Sequence, residues 1–160
     1  MDRLNRILSN TWFREYYLKI ETAEADRRFC RHDMHHFLAV ARLAMIFNLQ
    51  EKLGIDKEMI YAAALLHDIG RFIQYEDGTP HEQASAVLCV DILKQADFDE
   101  KEIMAIVTAI GNHRNSLVIE NKDLSDILYR ADKMSRDCFA CHMYAECNWK
   151  DGKKNQNLQY

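Results

Sequence analysis

Helix breakers are scarce in this chain. Five glycines and one proline interrupt 160 residues, and between them apolar side chains return every three or four positions, the spacing that lays them along one helix face. A chain so patterned predicts an all-α fold, a compact single-domain helical bundle over residues 1–150 with a polar C-terminal tail over 151–160. With 48% hydrophobic and 29% charged residues, it has the composition of an ordinary globular protein.

The elements follow from the rhythm and its punctuation. Leu4, Ile7, Leu8, Trp12, Phe13, Tyr16, Tyr17 and Ile20 predict one amphipathic N-terminal helix, and a short helix is expected over 22–29, with Arg27, Arg28 and Arg31 clustered near its end. Phe37, Val40, Ala41, Leu43, Ala44 and Phe47 predict a strong helix closed by Gly54. Asp56 is placed to cap the next, which runs through Met59, Ile60, Ala63 and Leu66. Residues 72–78 read as a loop, with Asp77-Gly78 as its turn. Thr79-Pro80-His81-Glu82 then places Thr as N-cap, Pro first and Glu third in a new helix. Asp99 and Glu102 repeat the cap for a helix through Ile103, Ile106, Val107 and Ile110. A last core helix starts near Asp123 and carries Ile127, Leu128, Ala131 and Asp132.

A net charge of −4 argues against binding a nucleic-acid polymer as the main role. The N-terminus has no apolar run of signal-peptide length and nothing later approaches a membrane span. The expectation is a cytoplasmic protein with no membrane partner and its cysteines reduced. The aromatic N-terminal helix could pair with a second copy to give a homodimer.

The polar residues at helix ends carry the chemistry. In Leu65-Leu66-His67-Asp68-Ile69-Gly70-Arg71 a histidine and an aspartate stand together where an apolar helix runs out. An ionised aspartate is seldom buried without a partner, and a divalent cation is one such partner. Taken alone, the pair could equally be a turn-capping Asp beside a core His. However, His36 opens one helix, His81 opens another, His113 closes a third, and Asp132 lies within a fourth among apolar neighbours. His36, His67, Asp68 and Asp132 supply two nitrogens and two oxygens, a set suited to first-row metals.

In order, His36 in His-Phe-Leu-Ala-Val-Ala-Arg-Leu-Ala, the pair in Leu-Leu-His-Asp-Ile-Gly-Arg, and Asp132 in Leu-Tyr-Arg-Ala-Asp-Lys-Met-Ser-Arg resemble the HD-domain superfamily of metal-dependent phosphohydrolases. The resemblance spans about residues 30–136. It implies a helical bundle holding a divalent transition metal (Mn, Fe, Zn, Ni or Co) on His36, His67, Asp68 and Asp132. Asp68, Arg71 and Lys133 are the catalytic candidates, Arg71 standing where the family usually carries Lys or Arg and Lys133 being a cation next to a proposed ligand. The implied activity is hydrolysis of a small phosphorylated substrate, a nucleotide or another phosphoester. His32 and His35 are expected to face solvent or to sit behind the ligands.

Some members of the superfamily hold a second metal on two further histidines, and His81 and His113 stand in that order. They are candidates for a second ion or for substrate and proton transfer, although the short interval from Asp68 to His81 and the lack of a His-His doublet and a Gly-Tyr-Pro triplet depart from binuclear phosphodiesterases. Arg71, Arg114, Lys133 and Arg136 lie near the proposed ligands and could neutralise a phosphate. Two other functions stay open on the same residues: a di-iron oxygenase using all six ligands, and a non-catalytic metal-binding sensor.

Cys138-Phe139-Ala140-Cys141-His142 with Cys147 has zinc-like spacing. A structural zinc site draws on a second ligand pair at a distance, however, and these residues all lie within ten positions. A haem-attachment site would need an export signal. The simpler expectation is reduced cysteines packed on one helix face, with Cys30 and Cys89 read likewise.

Overall fold

A computed structural model describes residues 1–160 and is all α-helical. The helices are α1 (Asp2–Ser9), α2 (Thr11–Ala23), α3 (Met34–Gln50), α4 (Lys57–Leu66), α5 (Arg71–Asp77), α6 (His81–Gln95), α7 (Glu100–Asn112) and α8 (Leu124–Met134), with 3-10 turns at Ser116–Val118, Cys138–Ala140 and Asp151–Lys153.

The centre of the bundle is α4. Its residues Ile60 and Ala62 to Leu66 are all buried, and a helix apolar on every side belongs inside. It packs against α1, α3, α6, α7 and α8, so its last turn delivers His67 and Asp68 to the middle of the molecule. Gly70, just beyond, lies hard against α6. A Cβ there would stand 2.5 Å from the Ser85 backbone nitrogen, while the Gly70 N–H donates to Ser85 Oγ at 2.9 Å. Only a glycine fits this approach. No helix is long and apolar enough to cross a membrane.

Caps read from the sequence form at Asp56, at Asp123 and as a full capping box between Asp99 and Glu102. Other expectations are corrected. The single N-terminal helix is two, because Asn10 leaves helical backbone and accepts from the N–H groups of Trp12 and Phe13. Ile7 and Phe13 are both buried, so the apolar rhythm carries across the break and conceals it. No helix forms over 22–29. Instead α2 stops at Ala23, and the Glu24 carboxylate takes the His32 backbone N–H at 2.8 Å, folding residues 24–33 back along the chain.

The loop expected at 72–78 is helix α5, and Gly78 at φ 85° is its left-handed stop. Thr79 does not cap α6. Its N–H donates to Asp77 Oδ1, and Pro80 takes the cap position. Gly54 lies in the connection after α3, which ends at Gln50. Beyond α8 the cysteine-bearing stretch is not a helix: after the 3-10 turn at Cys138–Ala140 it consists of turns and bends. The tail is not loose throughout, since Asn155 Nδ2 donates to the carbonyls of Lys133 and Arg136 at 2.8 and 2.9 Å, docking it on the end of α8.

Candidate metal centre

Four helix ends and the last turn of α8 bring the sequence candidates together. His36 comes from the first turn of α3, set by Asp33, which accepts the His36 backbone N–H. His67 and Asp68 follow α4, His81 opens α6, His113 closes α7, and Asp132 projects from α8. All six are buried and fall into two groups: His36, His67, Asp68 and Asp132, and Asp68, His81 and His113. Asp68 belongs to both.

Its two oxygens face different partners. Oδ2 lies 3.1 Å from His67 Nε2 and 3.5 Å from His36 Nε2, whereas Oδ1 lies 3.1 Å from His81 Nε2 and 3.6 Å from His113 Nε2. Asp132 Oδ1 completes the first group, 3.4 Å from His36 and 3.7 Å from His67. Around one ion with bonds near 2.1 Å, donors stand no more than about 4.2 Å apart, so these separations suit a shared cation.

The hydrogen bonds behind the rings turn the Nε2 atoms inward. His67 Nδ1 donates to the Ala64 carbonyl at 2.7 Å, and His113 Nδ1 to that of Ile110 at 2.6 Å. His36 Nδ1 donates to Ser135 Oγ at 3.2 Å, while Ser135 donates to the Asp132 carbonyl. Each anchor leaves Nε2 as the inward atom, the arrangement that fixes metal-binding imidazoles. His67 Nε2 and Asp68 Oδ1 are buried without a hydrogen-bond partner, and His81 Nε2 faces His113 Nε2 at 3.1 Å. Orphaned acceptors packed this closely call for a positive charge between them, and a divalent ion fits the donor set.

The buried charges point to the same demand. Burial would push the His67 imidazole down, but the Asp68 and Asp132 carboxylates outweigh it and raise it to about 10. Burial would raise both carboxyls, yet the surrounding imidazoles hold Asp68 and Asp132 well below the usual range, Lys133 adding to the effect on Asp132. A proton on His67 therefore competes with a metal for the same carboxylates.

His35 faces solvent, whereas His32 is buried behind the first group with Nε2 3.8 Å from Asp68 Oδ2. His32 Nδ1 meets Glu24 Oε1 at 2.5 Å, and Tyr75 donates to that same oxygen at 2.6 Å. Burial would raise the Glu24 carboxyl, but the His32 hydrogen bond overrides this and lowers it to about 2, with Tyr75 contributing. Glu24 and Tyr75 escaped the sequence reading because their partners lie in irregular chain or on another helix.

The cations divide by position. Lys133 Nζ sits 2.5 Å from Asp132 Oδ2. Arg71 Nη1 lies 2.8 Å from His81 Nδ1, beside Gln74, whose oxygen also meets that ring nitrogen. Arg136 donates to His36 Nε2 at 3.2 Å. These three, with Arg114, Arg27 and Lys154, line a cavity of about 450 Å³ that also exposes Asp68, Asp132 and His81. Arg27 and Lys154 were not anticipated as site residues. Six cations around two carboxylates make the cavity locally basic in an acidic protein.

Known proteins fit this picture. An uncharacterised protein of Clostridium beijerinckii is 45% identical over the whole of both chains. Ribonuclease Y of Clostridium kluyveri is 35% identical over 98 residues, 61% of this chain but 17% of that protein, so the similarity spans a small part of the ribonuclease. The structure of a predicted HD superfamily hydrolase from an uncultured Thermotogales bacterium superposes with a TM-score of 0.62 at 25% identity, over 89% of this chain and 81% of that one. The HD domain model matches residues 34–137, from the start of the helix that bears His36 to just past Asp132. With well over half of its length under that match, the chain belongs to the HD domain family.

Proposed function

We propose that this chain is a metal-dependent phosphohydrolase acting on a nucleotide or another small phosphoester. The observation that carries the reading is a carboxylate, Asp68, shared by two buried donor groups and opening into a basic cavity of about 450 Å³. That volume lies within the usual range of small-molecule sites, roughly 300–1,000 Å³. The surrounding arginines and lysines favour a phosphate over an uncharged substrate.

His36, His67, Asp68 and Asp132 would hold one divalent ion, and Asp68, His81 and His113 a second; Mn, Fe, Zn, Ni and Co all suit these donors. What such an ion supplies is Lewis acidity, which brings the pKa of water from about 15.7 toward 7 and so provides a nucleophile near neutral pH. The chain does the rest. Carbonyls of Ala64 and Ile110 keep His67 and His113 in the tautomer that presents Nε2. Arg71 and Lys133 neutralise the phosphoryl oxygens as charge builds on them, with Arg114 and Arg136 on the same wall. The facing Nε2 atoms of His81 and His113 favour holding a cation over donating a proton to the leaving group. The basic lining likewise ranks hydrolysis above the di-iron oxygenase reading. The enzyme so described is cytoplasmic and takes a free small molecule rather than a nucleic-acid polymer.

The test is elemental analysis of the purified protein, followed by phosphate release from a panel of nucleotides, sugar phosphates and a short oligoribonucleotide with the metal found. Release from a small phosphoester, abolished by chelation and restored by metal, is expected. Cleavage confined to the oligoribonucleotide would replace the substrate class, and oxygen uptake with bound iron and no phosphate release would replace the reaction.

A further inference from the structure

Four of the five cysteines meet where no part of the phosphohydrolase reading uses them. Cys30, Cys138, Cys141 and Cys147 all line the basic cavity, while Cys89 is buried apart within α6. All four lie outside residues 34–137, the stretch matched as HD domain: Cys30 precedes it and the other three follow it. The two cysteine-bearing segments are stitched to each other as well. Arg28 pairs with Glu146 at 3.2 Å and reaches the Met143 sulfur at 3.9 Å, and Arg136 donates to the Arg31 carbonyl at 3.0 Å.

Packing does not explain why the later segment stays in place. From Cys138 to the C-terminus the chain has no α-helix, and Cys138 is its only buried residue. A long irregular stretch with so little buried surface is held here only by polar contacts such as those of Asn155 and Arg28, and a metal site is a usual further anchor where disulfides are absent. All five thiols are free. Burial pushes the Cys30 thiol up, Arg136 opposes this, and the nearby thiols of Cys141, Cys138 and Cys147 push the same way as burial.

We propose that Cys30, Cys138, Cys141 and Cys147 form a four-thiolate metal site that clamps the C-terminal segment beside the His/Asp centre. The spacing favours an iron–sulfur cluster over a single zinc ion. Structural zinc sites draw their ligands in two close pairs. Here three cysteines come from one short run and the fourth from far away, a pattern iron–sulfur clusters use. Four sulfurs about 2.3 Å from one zinc would lie about 3.8 Å from one another, and no three cysteine sulfurs here gather within the 4.8 Å that encloses each His/Asp group, which disfavours a single zinc ion. Binding would release the thiol protons and leave the cysteines' oxidation state unchanged.

The inference is independent of the hydrolase reading. Full-length protein purified without oxygen should contain iron with acid-labile sulfide in comparable amounts and absorb broadly in the visible. The Cys138→Ser/Cys141→Ser double variant should lose both, with helix content by circular dichroism unchanged, while Asp68→Ala should keep the sulfide. One zinc per chain that survives Asp68→Ala but leaves with the cysteines would support the four-thiolate site and overturn the cluster. Wild-type protein with neither sulfide nor a thiol-dependent metal, and with Cys30, Cys138, Cys141 and Cys147 all freely alkylated in the native state, would overturn the site itself.

Discussion

Phe37 in α3 and Phe139 after α8 are the same side chain in two kinds of surroundings. Phe37 is wholly buried between α2 and the His67 ring, while Phe139 is 49% exposed. The helical core from α3 to α8 is held by apolar burial, and that burial places the donor histidines and carboxylates 3.1–3.7 Å apart. The flanking stretches, 24–33 and 138–160, are held by polar contacts: Glu24 with His32, Arg28 with Glu146, Arg136 with Arg31, and Asn155 on the end of α8. A core of this kind can fix a site rigidly, whereas the flanks complete the cavity wall with groups that respond to charge and to ligands.

The contrast can be broken at single positions. The largest effect belongs to Phe37→Ala, expected to cost about 3–5 kcal/mol in urea unfolding, against under about 0.5 kcal/mol for Phe139→Ala. Equal losses would erase the distinction. Gly70→Ala should follow at about 2–3 kcal/mol, because the new methyl meets the Ser85 backbone and α6 must shift; a neutral result would mean that the helices separate freely there.

In the flanks the signature is pH. The Glu24 carboxyl is held down at about 2, so its contribution is present above its unfolded value near 4.5 and is lost as pH falls toward 2. Glu24→Gln should therefore cost about 1–2 kcal/mol at pH 5 and less at pH 3, read from urea midpoints of both proteins. A difference that does not shrink on acidification would remove the charge from the explanation. Smallest is Arg28→Ala, worth under about 0.5 kcal/mol, since the pair with Glu146 is exposed on both sides; limited proteolysis should still cut residues 138–147 faster in that variant than in wild type.

How far the molecule could be read in advance follows the same division. Asp56, Asp99 with Glu102, and Asp123 announce their helices because a cap is decided within three residues. His36, His67, Asp68, His81, His113 and Asp132 could be singled out because five of them sit at or near helix ends and Asp132 lies on an apolar face. Signals that local spacing cannot carry were misread. Asn10 breaks a helix inside an unbroken apolar rhythm, and Asp77-Gly78, read as a loop turn, is a helix stop because α5 packs on α2 and α6. His32 looked like one histidine among three, since the carboxylate that buries it comes from Glu24 in a stretch expected to be helical. Cys30 gave no hint of its company because the other three cysteines lie more than a hundred residues away.

The central claim is that Asp68 joins two donor groups into one metal centre, and Asp68→Asn tests it with almost no change of shape. Metal content and phosphate release should be measured together on wild-type and variant protein of equal helix content. The account predicts that metal at the His/Asp centre is lost and phosphate release falls by about 10²–10³-fold or more. A variant that keeps its full metal complement at that centre and hydrolyses at the wild-type rate would contradict it.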